Sequence, residues 1–313
     1  MTAGDAAPIP AFVNPTAGSA PAAREAVAAD PRFALRLASP QELPDALRAE
    51  IARGTPRVLV AGGDGTLTLA ARTLAGTSTA MAVLPGGTLN HFARDLGLPS
   101  DDAAACLECA VQGTVRPVDA AFVNGELFLG TSSVGAYVRF VRARERLEGY
   151  GLGYRLASAL ASAWIWLRLH PFTVVVREGE RPDDPERHYR SPLVFVAVGQ
   201  RALSVAPIGA RVPDGERALQ LMIVQTASRM GVIALAARMA ARGGATRMED
   251  DPALDVTMVP ACEVRMRRPW GRVSMDGELA RLRAPLHYRV ARDALLAVVP
   301  PEHLAAGPFT AGG

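Results

Sequence analysis

The sequence contains no lysine: all 34 of its positively charged side chains are arginine. This excludes Walker-type phosphate lysines, Schiff-base chemistry and lysine general bases, so the charge of any bound phosphate must be met by Arg, backbone N–H groups or a metal. Asparagine is almost as rare, occurring only as Asn14, Asn90 and Asn124. The three cysteines, Cys106, Cys109 and Cys262, are an odd number and make no disulfide framework. Cys106 and Cys109 have the CxxC spacing, but in an Ala-rich helical segment without a second ligand pair, so they read as buried thiols rather than as a metal or redox site. A large excess of one charge is also missing: 34 basic against 31 acidic residues leave a net charge of +3, and no nucleic-acid partner is expected. The histidines lack companions at ligand spacing, so no zinc site is inferred. Met1 to Pro10 lacks a basic region followed by a long apolar core, and no secretory signal is expected. The apolar run Leu156 to Leu167 would span about 18 Å as a helix, short of a bilayer of roughly 30 Å.

What is present suffices for two domains with sizeable cores: 313 residues, 49% of them hydrophobic. The centre of the pattern is Gly62-Gly63-Asp64-Gly65-Thr66, between the apolar run Val58 to Ala61 and the segment Leu67 to Leu74. It reads as buried parallel strand, glycine turn and helix. Such a turn brings backbone N–H groups and a helix N-terminus to an anion. An acid beside phosphates is repelled unless a cation or a sugar hydroxyl lies between them, so Asp64 points to a metal–nucleotide. The plainer alternative is a βα turn with Asp64 as helix N-cap.

Strands and helices alternate from residue 9 to about 113, the pattern of a doubly wound parallel sheet. Three strands end in polar turns: Asn14 to Ser19, Gly62 to Thr66, and Pro85-Gly86-Gly87-Thr88-Leu89-Asn90. In such sheets ligands bind beyond the carboxyl ends of the strands, which makes these loops one nucleotide rim. Asn14 also reads as a turn former, and Asn90 as a cap on a helix His91 to Leu96. From about Val115 the segments become short strands, mainly antiparallel, with helices near 136–148, 153–169 and 228–242. Gly179 to Arg190 reads as a surface loop and Ala294 to Val299 as the closing strand. Tyr137 to Tyr150 mixes aromatics with arginines, and Trp164, Ile165 and Trp166 precede Arg168. That combination suits an interface helix at anionic lipid, or equally a pair of domain-packing helices.

These loops and a late acidic turn resemble the diacylglycerol-kinase-like lipid kinases, which include bacterial diacylglycerol kinases and sphingosine kinases. Asn14-Pro15-Thr16-Ala17-Gly18 resembles the family's first loop, Gly62 to Thr66 its GGDGT loop, Leu84 to Arg94 its third block, and Met275-Asp276-Gly277-Glu278 its late catalytic turn. The resemblance implies an ATP-binding α/β domain at 1–119, completed by 289–313, and a mainly antiparallel β-sandwich at 120–288 that receives the lipid. It implies ATP and Mg2+, with Asn14, Thr16, Gly18, Gly62, Gly63, Asp64, Gly65, Thr66, Gly87, Thr88 and Asn90 at the nucleotide. Asp64 and Asp214 are its candidate metal ligands. Asp276 would be the general base, with Glu278 holding metal or orienting it; a type I′ hairpin turn at Asp276-Gly277 is the local alternative. His91, Gln200 and Gln220 stand where many members have Asp, Asn and Asp. The expected partner is a lipid, diacylglycerol foremost, presented at a membrane to a cytoplasmic protein that is peripheral on its inner face; a homodimer is allowed for. An NAD kinase-like enzyme and a non-catalytic regulator are the alternatives.

Overall fold

The computed structural model describes residues 7–181, 183–202, 211–212, 214–226, 228–241 and 251–301. The chain divides into two compact units, Met1–Ala120 with Ala291–Gly313, and Ala121–Val290. The first begins with β1 (Ile9–Val13), α1 (Ala20–Ala28), β2 (Phe33–Leu37), α2 (Leu43–Ala52), β3 (Arg57–Gly62), α3 (Asp64–Leu74), β4 (Ala80–Pro85), the short α4 (His91–Asp95) and α5 (Ala103–Gln112). Its strands run parallel in the order β2-β1-β3-β4. Val58 to Gly62 of β3 and Ala80 to Leu84 of β4 are buried without interruption, because helices cover both faces of a doubly wound sheet and leave no polar alternation. The helices turn narrow apolar stripes inward, Leu43 and Leu47 on α2 and Leu67, Ala70, Ala71 and Leu74 on α3. One acid lies in the α2 stripe: Glu50 is buried, held by Arg36 at 2.5 Å, Arg53 at 2.5 Å and the Thr55 hydroxyl at 2.6 Å. Asp102 caps α5 through the Ala105 N–H at 2.9 Å. Cys106 and Cys109 are buried on that helix, and burial pushes the Cys106 thiol up to about 12.

The chain passes along β5 (Thr114–Val123) into the second unit. There follow β6 (Glu126–Phe128), β7 (Thr131–Gly135), α6 (Ala136–Gly149), α7 (Tyr154–Leu167), β8 (Phe172–Glu178), β9 (Glu186–Ser191), β10 (Leu193–Val198), β11 (Leu219–Val224) and α8 (Arg229–Ala241). The last elements are β12 (Leu254–Val259), β13 (Ala261–Met266), β14 (Trp270–Met275), β15 (Glu278–Arg283) and β16 (Leu286–Val299). One sheet has the order β12-β11-β10-β7-β14-β15, antiparallel throughout. In the other, β13 pairs antiparallel with β16 and β8, β8 with β9, and β5 with β6. Alternate side chains of both sheets meet in one core, Phe128, Val264 and Tyr288 from one, Val134, Val196 and Met275 from the other. The end of β16 returns to the first unit, where Ala297 pairs in parallel with Met81 of β4.

The expected fold class, parallel α/β followed by antiparallel β-sandwich, is the one observed. Several elements differ from their sequence reading. Gly179 to Arg190 is not all loop: Glu186–Ser191 is β9, a polar edge strand. Its ladder to β8 is reinforced by Arg177 and Arg265 on Glu186 and by Tyr189 on Asp255 at 2.6 Å. The closing strand begins at Leu286 rather than Ala294, and β7, rich in Ser, Thr and Gly, was not anticipated. Of the helix expected at 228–242 and the tail after Pro301, residues 242 and 302–313 lie outside the described residues.

Candidate functional site

In the first unit, β1, β3 and β4 are neighbours and parallel, so the turns at their carboxyl ends lie side by side. Their bonding is mutual. Asn14 Nδ2 donates to Thr66 Oγ1 at 3.0 Å, while Asn14 Oδ1 accepts from the Thr16 N–H at 3.0 Å and the Thr16 hydroxyl at 2.8 Å. Ser19 Oγ donates to the Gly86 carbonyl at 2.7 Å, and the Gly86 N–H donates to the Gly62 carbonyl at 2.9 Å. Asn90 has φ 48°, and its amide is not a cap on α4. It closes its own loop, taking the Gly87 N–H at 2.8 Å and donating to the Gly87 carbonyl at 2.9 Å. A left-handed backbone at a non-glycine residue favours Asn.

The glycines are needed because these loops touch. A Cβ on Gly87 would lie 2.8 Å from Gly63 Cα, and one on Gly62 would lie 2.6 Å from Thr66 Cβ. Gly63, with extended backbone, is the N-cap of α3 and gives it no side-chain acceptor. The first N–H groups of an eleven-residue helix therefore face outward without a side-chain cap. Asp64 is the first helical residue rather than the cap, and its Oδ1 accepts the Phe92 N–H at 3.3 Å. Thr16, Gly18 and Thr88 are exposed on the same set of loops, while the Gly87 N–H is committed to Asn90. An uncapped helix start with closely packed glycine turns fits a phosphate chain. One carboxylate beside it, that of Asp64, would offer a ligand to a divalent cation accompanying the phosphates. Ser19, which ties the first loop to the third, is the last residue of the first polar turn, but nothing in the sequence signals its bond to Gly86, 67 positions away.

In the second unit, Asp276 and Gly277 form the two-residue turn of the β14–β15 hairpin, with φ 48° and 87°. The hairpin alternative and a specialised carboxylate coexist there. Asp276 Oδ2 accepts the Leu129 N–H at 2.8 Å, and Oδ1 accepts those of Gly130 at 2.8 Å and Thr131 at 2.9 Å. The Asp276 N–H returns a bond to the Thr131 carbonyl at 2.8 Å. Three consecutive backbone donors thus fix the carboxylate, and they lie where β6 gives way to β7. Glu278 is exposed on β15 and carries none of those bonds. Beside this clamp, Ser133 and Ser274 stand opposite each other across the β7–β14 ladder. Both are buried, and neither hydroxyl has a hydrogen-bond partner among the described residues. Neither the three donors nor the serine pair is legible in the sequence, since both depend on the pairing of strands far apart in the chain.

Asp214 is exposed, with φ 55°, and the preceding Pro213 lies outside the described residues. Gln220 is fully buried: its Oε1 takes the Arg201 N–H at 2.9 Å and its Nε2 donates to the Arg201 carbonyl at 3.2 Å. Gln200 Oε1 accepts the Glu216 N–H at 3.2 Å. Both glutamines therefore bond peptide groups. Among the described residues no three His, Cys, Asp or Glu side chains cluster at metal-binding distance. His91 opens α4, half-buried.

Residues 8–123 match the family model described as the diacylglycerol kinase catalytic domain. A diacylglycerol kinase of Mycobacterium tuberculosis strain H37Rv is 33% identical over 135 residues, covering 42% of this chain and 44% of the relative. A probable lipid kinase, YegS-like, of Pseudomonas aeruginosa strain UCBPP-PA14 is 44% identical over 87 residues, covering 27% and 28%. The alignments thus span less than half the length of these relatives. A putative diacylglycerol kinase from Bacillus anthracis strain Sterne has the same fold over 94% of this chain and 97% of its own, with a TM-score of 0.70 and 22% identity.

Proposed function

We propose, from the match of residues 8–123 to the diacylglycerol kinase catalytic domain, that the protein is an ATP-dependent lipid kinase whose acceptor is a lipid hydroxyl, diacylglycerol foremost. The observation that carries this reading is that the matched stretch contains all three loops braced against one another at the start of α3. Phosphoryl transfer asks a protein for positioning, charge neutralisation and a proton acceptor. In the first unit the start of α3 holds the phosphates, and Asp64 would hold a divalent cation that, when bound, would supply positive charge to them. The Asn14, Ser19 and Asn90 bonds keep the loops from collapsing onto the helix start. In the second unit Asp276 takes the acceptor proton while the acceptor oxygen bonds to the γ-phosphorus and the bond to the ADP oxygen breaks. The unpartnered hydroxyls of Ser133 and Ser274, close to Asp276 along their ladder, suit the oxygens of a glycerol ester.

The test is transfer of labelled γ-phosphate from Mg–ATP in mixed micelles to diacylglycerol, monoacylglycerol, sphingosine, ceramide and a polyprenol, with NAD as soluble control. Labelled phosphatidic acid is the expected product. Labelled NADP would assign a soluble-substrate kinase, and ATP binding without transfer would assign a regulator.

A further inference from the structure

The helix α7 is built the wrong way round for a helix in water. Its buried residues are Ala157, Ala161 and Ile165, two of them the smallest apolar side chain, while its largest apolar residues point outward. Leu156, Leu160, Trp164, Trp166 and Leu167 are each between 40% and 56% exposed. At 100° per residue they fall in one continuous arc of roughly 160°. Tyr150, in the connection from α6, is 75% exposed. Within α7 the only charge is Arg155. No helix among the described residues is long and apolar enough to cross a membrane, so this arc is not part of a span. A continuous exposed apolar surface marks a contact surface.

Charge decides what it contacts. From α6 through His170 the chain carries six arginines, at 139, 142, 144, 146, 155 and 168, against Glu145 and Glu148, a net of +4. The arginines are arranged rather than scattered. Arg168, directly after α7, lies 5.2 Å from the ring of Trp164, and Arg139 donates to the carbonyls of Arg168 and His170, fixing that end of the helix. Arg142 and Arg146 join Arg272 and Arg281, against the single acid Glu145, around an open depression of about 440 Å³ beside α6. A second copy docked by this face in a symmetric dimer would set +4 against +4. An anionic lipid surface complements both features, taking the apolar arc into its acyl boundary and the arginines at its headgroups, where Trp and Tyr also belong.

We infer that the outer face of α7, with the exposed Arg142, Arg146 and Arg168, docks the protein onto an anionic lipid bilayer. The inference rests on the lipid-acceptor reading for its purpose, but its test does not require turnover. The Trp270→Phe protein, which keeps Trp164 and Trp166 as its fluorophores, is mixed with phosphatidylcholine vesicles with or without phosphatidylglycerol, in the absence of ATP and diacylglycerol. Sedimentation with the anionic vesicles, a blue shift and quenching by bromolipid are expected. The Leu160→Ser/Trp164→Ser variant should bind about tenfold more weakly or worse, and Arg168→Gln about fivefold more weakly. These side chains are exposed, so the variants should unfold as the parent does and phosphorylate a water-soluble short-chain diacylglycerol at the parental rate. Protein that stays in the supernatant with anionic vesicles, or a double variant that binds like the parent, would overturn the inference. So would a concentration-dependent dimer that the double variant abolishes, since a second copy would then cover α7. Vesicle binding without kinase activity would leave this surface standing and remove only the catalytic reading.

Discussion

Replacing Asp276 separates a carboxylate held for chemistry from an ordinary hairpin turn. In Asp276→Asn the turn survives, because Asn tolerates the left-handed φ of 48° as Asp does. The clamp does not. The amide keeps one carbonyl oxygen, best placed on the Gly130 and Thr131 N–H groups, and sets its NH2 against the Leu129 N–H, donor facing donor. One charge-assisted bond is lost and the other two weaken, a cost of about 2 kcal/mol. Asp276→Ala loses all three bonds and adds strain at positive φ, about 4 kcal/mol in total. For a unit of this size each kcal/mol lowers the midpoint by about 2–4 °C, so the Asn variant should melt about 4–8 °C early and the Ala variant about twice as far. Calorimetry and urea unfolding read both. An Ala variant with the wild-type midpoint would refute the clamp and leave Asp276 as a turn residue only.

Three other outcomes follow from the first unit and the core. Gly87→Ala places a Cβ 2.8 Å from Gly63 Cα and 3.0 Å from Asn90 Oδ1, so the two loops must separate. ATP binding measured by calorimetry should weaken about tenfold or more, with overpacking costing about 1–3 kcal/mol of stability; unchanged affinity would contradict the close approach. The three thiols are buried, and burial pushes Cys106 and Cys262 up to about 12, so a thiol reagent at pH 8 should label none in the native protein and all three in denaturant. Burial works to raise Glu50, but the Thr55 hydroxyl and Arg36 outweigh it and hold the carboxyl below its ordinary value. A carboxyl lowered on folding stabilises above its unfolded pKa of about 4.3 and loses that contribution as pH falls through the folded value. The stability gap between wild type and Glu50→Gln should therefore be constant near neutrality and close progressively below about pH 4; a gap independent of pH would contradict it.

What could be read from the sequence divides by contact range. The run Val58 to Ala61, the glycine turn and α3 are adjacent residues whose pattern is local, and they were legible together with the strand–helix alternation around them. The three rim loops were legible because a parallel sheet necessarily aligns strand ends. The Asp276 clamp was not, since Leu129, Gly130 and Thr131 reach it only through the pairing of β14 with β7, about 145 positions away. β7 itself was hidden by its Ser and Gly content, and β9 by charges whose partners, Arg177, Arg265 and Asp255, lie on other strands. Those ion pairs turn a polar stretch into a strand, which no periodicity within the stretch reveals. The same limit kept α7 ambiguous: its composition suited both packing and an interface, and only the inward placement of Ala157 and Ala161 shows which side faces out.

The most direct measurement of the central claim compares ATP binding with phosphate transfer to diacylglycerol for the wild type, Asp64→Asn and Asp276→Asn, each below its melting temperature. Wild type should form phosphatidic acid, and Asp64→Asn should lose metal-dependent ATP affinity. Asp276→Asn should bind Mg–ATP as wild type does while its transfer rate falls by about a hundredfold or more. Transfer at the wild-type rate by Asp276→Asn would contradict the assignment of the acceptor proton to that carboxylate.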